Sequence, residues 1–209
     1  MTYHARSRRA SRAWLPALLL SACAGCSRPA PQPAGDGRTT PVYNKTNGRL
    51  EQLVSDRDGD GTPDTRAFMD GTRIARVEID RDNDGRTDRW EYYLPAPASA
   101  PKGGPPSLIE RADEAAGPDQ KITRREFFVL GVLQRTEEDT DRDGRMDKWE
   151  HYDGSVLTHV EFDLSGCGHA ERRLVYGADG NVVRIEVDPD GDGKFEPAPP
   201  VNPKKGGGL

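Results

Sequence analysis

Nine-residue acidic loops recur along this chain, and their spacing limits the folds that it can adopt. The sequence DRDNDGRTDRWE at residues 80–91 returns as DTDRDGRMDKWE at residues 139–150. Two further loops, DRDGDGTPD at residues 56–64 and DPDGDGKFE at residues 188–196, keep acids at loop positions 1, 3, 5 and 9. Like charges this close repel one another, so the loops predict a cation among the carboxylates.

The four loops belong to a repeat of 24 residues. Loop position 1 falls at residues 56, 80, 139 and 188, and steps of 24 from residue 139 reach two degraded loops, at residues 115–123 and 163–171. One gap is 11 residues longer because it contains a Pro/Gly-rich insert at residues 95–106. The residue six before each loop is aliphatic in all six units, namely Leu50, Ile74, Ile109, Leu133, Leu157 and Val182. Six repeat units are therefore predicted.

The repeat length favours strands over helices on either side of each loop. Residues 80–91 and 139–150 satisfy the full EF-hand pattern, but twelve loop residues leave only twelve for two helices. The turn signal Asp70-Gly71 interrupts that space, and segments such as RIARVEI at residues 73–79 are rich in β-branched residues. We therefore predict an all-β fold, an antiparallel meander of about six hairpin repeats and ten to twelve strands, with calcium loops along one edge. The pattern leaves open whether the sheet closes.

Pairing each hairpin across its turn predicts a register and two faces. In this register Phe128 faces Leu133 and Glu126 faces Arg135, and the two following hairpins obey the same rule. The opposite face is predicted to be apolar. Its members are Phe68, Val77, Ile79, Trp90, Tyr92, Trp149, Val160, Phe162, Val175, Ile185 and Val187.

The loop chemistry fits calcium, which takes six to eight oxygen ligands in flexible geometry, better than magnesium, which requires a strict octahedron. Glycine at position 6 permits the bend. The predicted carboxylate ligands are Asp56, Asp58, Asp60 and Asp64; Asp80, Asp82, Asp84 and Asp88; Asp139, Asp141, Asp143 and Asp147; and Asp188, Asp190, Asp192 and Glu196. The predicted carbonyl ligands belong to Thr62, Arg86, Arg145 and Lys194. Glu91 and Glu150, at position 12, are either further ligands or members of strand ion pairs, as Glu126 of a degraded unit is expected to be.

The first residues have the features of a bacterial export signal. Four arginines precede a short apolar run at residues 14–20, which is too short to span a membrane. The sequence LSAC at residues 20–23 resembles a lipobox, and that resemblance implies cleavage before Cys23 and lipid attachment to its sulfur. In Gram-negative lipoproteins, the same resemblance with Ala24 after this cysteine implies localisation to the outer membrane rather than retention at the inner membrane. Ordinary secretory cleavage nearby is the alternative.

The mature chain is acidic. Removal of residues 1–22 leaves 26 basic and 35 acidic residues, a net charge of −9 that four calcium ions would nearly neutralise. This charge argues against a nucleic-acid partner.

Cys26 and Cys167 either pair in an oxidising compartment or remain free thiols. The predicted domains are a signal peptide (1–22), a flexible tether (23–47), the repeat domain (48–196) and a disordered tail (197–209).

Two partial resemblances cover residues 48–196. The acidic loops resemble those of EF-hand-like and thrombospondin type 3 proteins. The segment RLVYGADGNVVRIEVDPDG at residues 173–191 resembles YD (RHS-type) or MORN-like repeats of bacterial surface and toxin-associated proteins. These resemblances imply an extracytoplasmic β-repeat body rather than a known catalyst.

The preferred functional hypothesis is a lipid-anchored, calcium-binding structural or binding module at the cell envelope, with an envelope protein or glycan as partner. It is not expected to be an enzyme, since motifs such as GxSxG, HExxH and a phosphate-binding loop are absent. The alternatives are an envelope hydrolase that uses paired carboxylates and a toxin-neutralising or immunity-type partner protein. Cys167 and His169 are more simply explained by repeat decay than by a transition-metal or nucleophile site.

Overall fold

A single open antiparallel sheet of thirteen strands forms the described part of the chain, residues 38–100 and 102–199 of a computed structural model. Every strand pairs with its neighbours in sequence, and no helix occurs among these residues. The all-β meander prediction is therefore confirmed, and the sheet does not close. The strands are β1 (Thr39–Tyr43), β2 (Leu50–Ser55), β3 (Thr65–Asp70), β4 (Arg73–Ile79), β5 (Arg89–Pro95), β6 (Ser107–Ala115), β7 (Ile122–Val129), β8 (Val132–Glu138), β9 (Lys148–Asp153), β10 (Val156–Phe162), β11 (Arg172–Tyr176), β12 (Val182–Val187) and β13 (Glu196–Pro197).

The connections divide between the two edges of the sheet. All six nine-residue loops, acidic and degraded, link an even-numbered strand to the next odd-numbered one, so they share one edge. Short turns occupy the opposite edge, where Gly71 and Gly154 adopt the positive φ that these turns require. The insert lies at this turn edge, between β5 and β6, and Ala96 donates a hydrogen bond to the Pro106 carbonyl across its base (3.0 Å). The edge opposite the loops therefore absorbs the extra length.

The ordered sheet begins earlier than the sequence predicted. β1 lies inside residues 23–47, the segment predicted to be a flexible tether, and pairs with β2 from Thr39 to Tyr43. The prediction missed this strand because it lacks an acidic loop before it and therefore does not show the repeat. The signal sequence, Cys23 and nearly all of the predicted tail lie outside the described residues. Within the described residues, no helix is long and apolar enough to cross a membrane.

Each hairpin contains one extra residue near its turn, and this changes the register. Phe128 pairs with Leu133 as predicted, but Phe127, not Glu126, pairs with Arg135, because Gln134 bulges out. The same bulge occurs in the hairpins β3–β4, β5–β6, β9–β10 and β11–β12. The predicted pairing of Glu126 with Arg135, and its equivalents in the two following hairpins, are therefore wrong by one residue.

The bulges also divide the predicted apolar face between the two faces of the sheet. One face, which we call the ion-pair face, carries a cross-strand row of Leu53, Ala67, Val77, Glu91, Ala112, Glu126, Thr136, Glu150, Val160, Leu174 and Ile185. The other, the arginine–aromatic face, carries Phe68, Arg76, Tyr92, Arg111, Phe127, Arg135, His151, His159, Val175 and Arg184. The prediction of a single apolar face is wrong, since a one-residue shift moves a side chain to the other face.

Very little apolar surface is fully buried. Among the described residues, the buried hydrophobic side chains are Ala67, Val77, Ala112 and Val160, all in the row on the ion-pair face. Val77, Ala112 and Val160 each have a glutamate beside them in that row, so aliphatic stems of charged side chains help to cover them. A sheet of this kind depends on interactions other than a hydrophobic core for much of its stability.

Candidate metal centres

The acidic loops at residues 56–64, 80–88 and 139–147 bring carboxylates together. In each, the acids at positions 1, 3 and 9 offer oxygens that lie within 4.8 Å of one another. These groups are Asp56, Asp58 and Asp64; Asp80, Asp82 and Asp88; and Asp139, Asp141 and Asp147. Three negative charges at this separation match the hard oxygen ligands that calcium prefers.

The acid at position 1 holds the loop backbone in shape. Asp80 accepts hydrogen bonds from the backbone N–H of Asn83 and of Gly85, both at 2.8 Å, and Asp139 accepts equivalent bonds from Asp143 and Gly144. Asp80 and Asp139 are only 6% and 3% exposed. This acid is therefore a structural element of the loop whether or not a cation is bound.

The acid at position 9 closes the loop from the other side. The N–H of Arg81 donates to Asp88 Oδ2 at 2.7 Å, and the N–H of Thr140 donates to Asp147 at 3.1 Å. In the first loop the N–H of Arg57 donates to Asp64 in the same way. Positions 1 and 9 thus share the task of ordering the loop.

The acid at position 5 turns toward the residue at position 7. The N–H groups of Thr62, Arg86, Arg145 and Lys194 donate to Asp60, Asp84, Asp143 and Asp192, at 2.6 to 2.8 Å. The position-3 acids, Asp82 and Asp141, are exposed, and each accepts a single backbone hydrogen bond, at 3.3 and 3.1 Å, from the N–H of position 5. Loop folding therefore depends least on position 3.

The degraded loop at residues 163–171 keeps the hydrogen bonds of the intact loops although it lacks two of their acids. Asp163 accepts hydrogen bonds from Cys167 (3.0 Å) and Gly168 (2.7 Å), and Glu171 accepts one from Leu164 (3.0 Å). Burial raises the pKa of Asp163, but the backbone donors outweigh it and hold that pKa below its ordinary value. The loop keeps its shape with Ser165 in place of the acid at position 3, so the shape of the intact loops does not require that acid.

The loop at residues 188–196 has the same backbone design but weaker ligands. Asp188 accepts hydrogen bonds from Gly191 and Gly193, both at 2.9 Å. The ammonium group of Lys194 lies 2.5 Å from Asp192 and so competes with a cation for this carboxylate. Glu196 is exposed in β13. This loop is expected to bind calcium more weakly than the other three.

Adjacent loops are joined by backbone hydrogen bonds. The N–H at position 1 of one loop donates to the carbonyl at position 9 of the loop before it, at 2.8 to 3.0 Å. The five pairs are Asp80–Asp64, Ala115–Asp88, Asp139–Thr123, Asp163–Asp147 and Asp188–Glu171. The side-chain amide of Asn83 also donates to Asp58 of the neighbouring loop. A cation that orders one loop therefore acts on a backbone that continues into the next.

Glu91 and Glu150 lie in the sheet rather than in the loops. Glu91 accepts hydrogen bonds from Arg89 Nε (2.8 Å) and Tyr93 (2.7 Å). Glu150 accepts them from Thr136 and Tyr152 and pairs with Lys148 at 2.8 Å. Their contacts match the strand ion-pair alternative and leave few oxygen lone pairs for a metal.

A ladder of ion pairs runs across the middle of the ion-pair face. Arg89, 9% exposed, contacts Glu91, Glu114 and Glu126, with Nη2–Oε2 to Glu126 at 2.9 Å. Burial lowers the pKa of Arg89, but the hydrogen bonds with these glutamates outweigh it and raise that pKa. Arg124 and Lys148 continue the ladder to β9, where it ends at Glu150.

Burial and hydrogen bonding also shift the pKa in opposite directions at Glu150, the end of this ladder. Burial raises the pKa of Glu150, but hydrogen bonds from Lys148, Tyr152 and Thr136 outweigh it and bring the pKa to about 2. Burial and the Glu150 carboxylate together raise the pKa of Tyr152 to about 12. Glu150 therefore remains ionised under all but strongly acidic conditions.

Arginine side chains stack on the aromatic rings of the opposite face. The guanidinium carbons of Arg76 and Arg111 lie 4.3 and 4.4 Å from the ring centres of Phe68 and Tyr92. Arg135 stacks on Phe127 at 4.7 Å. Each arginine also pairs with an acid two residues later on its own strand, at 2.8 to 3.2 Å. Each arginine faces its aromatic residue only because one residue bulges out near the turn. The sequence prediction did not include the bulge and therefore missed this pattern.

Cys167 and His169 lie close together in the degraded loop. The sulfur of Cys167 is 3.3 Å from Nδ1 of His169 and 3.6 Å from an oxygen of Asp163. Both residues are exposed at this loop, and Cys167 forms no disulfide within the described residues. Cys26 lies outside the described residues, so the pairing alternative stays a prediction.

Comparisons with known proteins identify no family for this chain. No family model matches it, and no curated protein matches it either. Among solved structures, the crystal structure of accessory secretory protein 1,2 and 3 in Streptococcus pneumoniae is similar over 62% of this chain and 19% of that chain, with 12% identity and a TM-score of 0.24. A similarity this low carries no functional argument.

Replacing the acids at positions 1 and 3 of one loop should separate folding from ion binding. Asp139→Ala removes the acceptor of two backbone N–H groups and should lower the free energy of unfolding without calcium by about 2 kcal/mol. Asp141→Ala removes an exposed carboxylate and should change it by less than about 0.5 kcal/mol. Both variants should lose calcium at this loop. Urea unfolding in chelator and calcium titration measure the two effects, and equal destabilisation by both would contradict these roles.

Proposed function

We propose that this chain is a lipid-anchored repeat protein of the bacterial cell envelope whose sheet is stabilised by calcium and which acts as a structural or binding module. The observation that carries the calcium part is the convergence of three carboxylates in each of three loops. The position-3 acid is the most informative of the three, because the loop at residues 163–171 folds in the same way without it.

The scarcity of buried apolar side chains supports a structural role for the cations. In the part of the chain that the structure describes, thirteen strands form one layer with four buried hydrophobic residues, so a cation at the loop edge adds stability where packing supplies little. The hydrogen bonds that join successive loops would transmit that stability along the edge. Such a body suits a spacer or display surface better than a catalyst, which requires groups gathered in a cleft.

The envelope location rests on the amino-terminal sequence. Lipid on Cys23 would tether the acidic domain to the outer membrane, with residues 24–38 as a connection to β1. An envelope protein or glycan is the proposed partner, and the acidic charge argues against nucleic acid.

Calcium titration of the full-length chain by calorimetry tests the metal part of this proposal. We expect saturable binding of three tight ions and a weaker fourth, unaffected by a tenfold excess of magnesium. The double variant Asp82→Asn, Asp141→Asn should lose two of the tight sites and keep its circular dichroism spectrum. Absence of saturable binding would refute the calcium role.

Labelling with palmitate tests the anchor independently of calcium. The unaltered chain should incorporate label and fractionate with the outer membrane, and Cys23→Ala should do neither. Labelling that survives in Cys23→Ala would refute this lipidation site. The Cys26→Ala variant is the matched control and should behave as the unaltered chain does.

A further inference from the structure

Two histidines interrupt the regular pattern of the arginine–aromatic face. In three hairpins an aromatic residue faces an arginine across the strands, as Phe127 faces Arg135. At the corresponding place in the hairpin β9–β10, His151 faces His159. The acid two residues further along is retained as Glu161. The hairpin has thus replaced both members of a stacked pair with metal-binding side chains.

The three side chains lie close together on this face. The imidazole rings of His151 and His159 are stacked, with centres 4.2 Å apart and planes 9° from parallel. Nε2 of His151 lies 3.4 Å from Oε2 of Glu161, and Nε2 of His159 lies 3.9 Å from Oε1. One donor atom from each residue lies within 4.8 Å of the other two.

The donor atoms of the histidines are available for coordination. Nε2 of His151 is buried and makes no hydrogen bond. The hydroxyl of Thr158 donates its one hydrogen to the His151 carbonyl at 2.9 Å, so at its 3.0 Å contact with His159 Nδ1 it acts as the acceptor. Nδ1 of His159 therefore carries the hydrogen, and the lone pair on Nε2 is free to bind a metal. Such an outer hydrogen bond fixes the tautomer of a metal-binding histidine.

One carboxylate oxygen of Glu161, Oε1, accepts hydrogen bonds from Arg173, whereas Oε2 does not. Arg173 donates to Oε1 through Nε at 2.9 Å and through Nη2 at 2.5 Å. Arg173 is itself held by its guanidinium stacking on Phe195 at 3.8 Å. Oε2 remains directed at His151, so the carboxylate is oriented in advance by a residue that takes no part in coordination.

We propose that His151, His159 and Glu161 bind a divalent transition-metal ion, zinc or copper, at a site separate from the acidic loops. Two imidazole nitrogens and one carboxylate oxygen form a ligand set that suits these ions, whereas calcium prefers oxygen alone. Metal–ligand bonds of about 2 Å require the two stacked rings to tilt out of parallel, so that the in-plane lone pairs of both nitrogens meet at the ion. Both histidines are about one-third exposed, which leaves an open coordination position for water or a partner's side chain.

Zinc titration of the full-length chain in excess calcium tests this site. The main variant is His151→Phe with His159→Arg, which restores the phenylalanine–arginine pair of the hairpin β7–β8 and so should retain the fold. It should lose one zinc equivalent that the unaltered chain binds. His159→Gln, a smaller change, should weaken that equivalent about a hundredfold and provides the test if the double variant fails to fold.

Two further variants distinguish this site from the thiol and imidazole of the degraded loop and test its outer hydrogen bond. Cys167→Ser with His169→Asn removes that thiol and imidazole and should keep the zinc equivalent. Thr158→Val removes the orienting hydroxyl and should weaken zinc binding about tenfold while leaving the circular dichroism spectrum without zinc unchanged. Zinc binding that is unaltered in the His151→Phe, His159→Arg variant, or lost in the Cys167→Ser, His169→Asn variant, would overturn the proposal.

Discussion

Calcium should raise the melting temperature of this protein by about 20 °C over its value in chelator. Each occupied site stabilises the folded chain by about 2.7 kcal/mol when calcium is a hundredfold above its dissociation constant. Three such sites contribute about 8 kcal/mol, and each kcal/mol raises the melting temperature of a chain of this size by about 2–4 °C. Thermal melts followed by circular dichroism in calcium and in chelator measure the shift.

A position-3 variant provides the matched control for this experiment. Substituting Asn for Asp58, Asp82 and Asp141 removes one carboxylate from each converging group and leaves the loop-ordering acids in place. This variant should melt in chelator like the unaltered chain and should gain little in calcium. A melting temperature that does not respond to calcium in the unaltered chain would refute cation-dependent stability.

The sequence was sufficient to predict the antiparallel meander, its strand order and the loop edge, although it missed β1. Acids at fixed loop positions fix the period, and the period leaves room only for strands. The degraded loops were found from the period alone, and both lie at the predicted edge. Local information of this kind predicts a meander well, because every strand pairs with its neighbour in sequence.

The register was predictable only near each turn. Leu133 opposite Phe128 is correct, but the bulged residue Gln134 shifts every pair beyond it by one. The bulged residues, Ala75, Glu110, Gln134, Thr158 and Val183, share no residue type, so no sequence signal identifies them. The two faces were therefore mixed in the prediction, since a shift of one reverses them.

The candidate sites differ in how far the sequence could indicate them. The acids of a loop are close in sequence, so their grouping follows from a turn and was predicted. His151, His159 and Glu161 meet through the register of β9 and β10, which depends on the bulge at Thr158. The one signal that could have found them is the replacement of an aromatic–arginine pair by two histidines in a single repeat.

The ion-pair face gives this sheet a second source of stability that does not involve a metal. Ala112 and Thr136, both fully buried, lie between glutamates of neighbouring strands. The charged side chains that cover them are paired with one another, and Arg89 is the most buried cation among them. Removing this cation would leave three acids close together, with only the more exposed Arg81 and Arg124 beside Glu114 and Glu126 among the described residues.

Arg89→Met should therefore be the most destabilising single substitution in the sheet. Methionine keeps the aliphatic stem but leaves Glu91, Glu114 and Glu126 without their shared cation. Breaking a buried ion pair from one side costs about 3–5 kcal/mol, which corresponds to a fall in melting temperature of about 10 °C. Chemical unfolding in saturating calcium isolates this effect from the loops.

Arg76→Met is the matched control, because Arg76 is 41% exposed and pairs with a single acid, Glu78, and the ring of Phe68 within the described residues. Its cost should stay near 1 kcal/mol, as for other exposed pairs. Adding Glu91→Gln and Glu126→Gln to Arg89→Met should recover part of the lost stability, since neutral amides do not repel one another. Equal losses for Arg89→Met and Arg76→Met, or no recovery with the glutamines, would show that the buried arginine acts through packing alone.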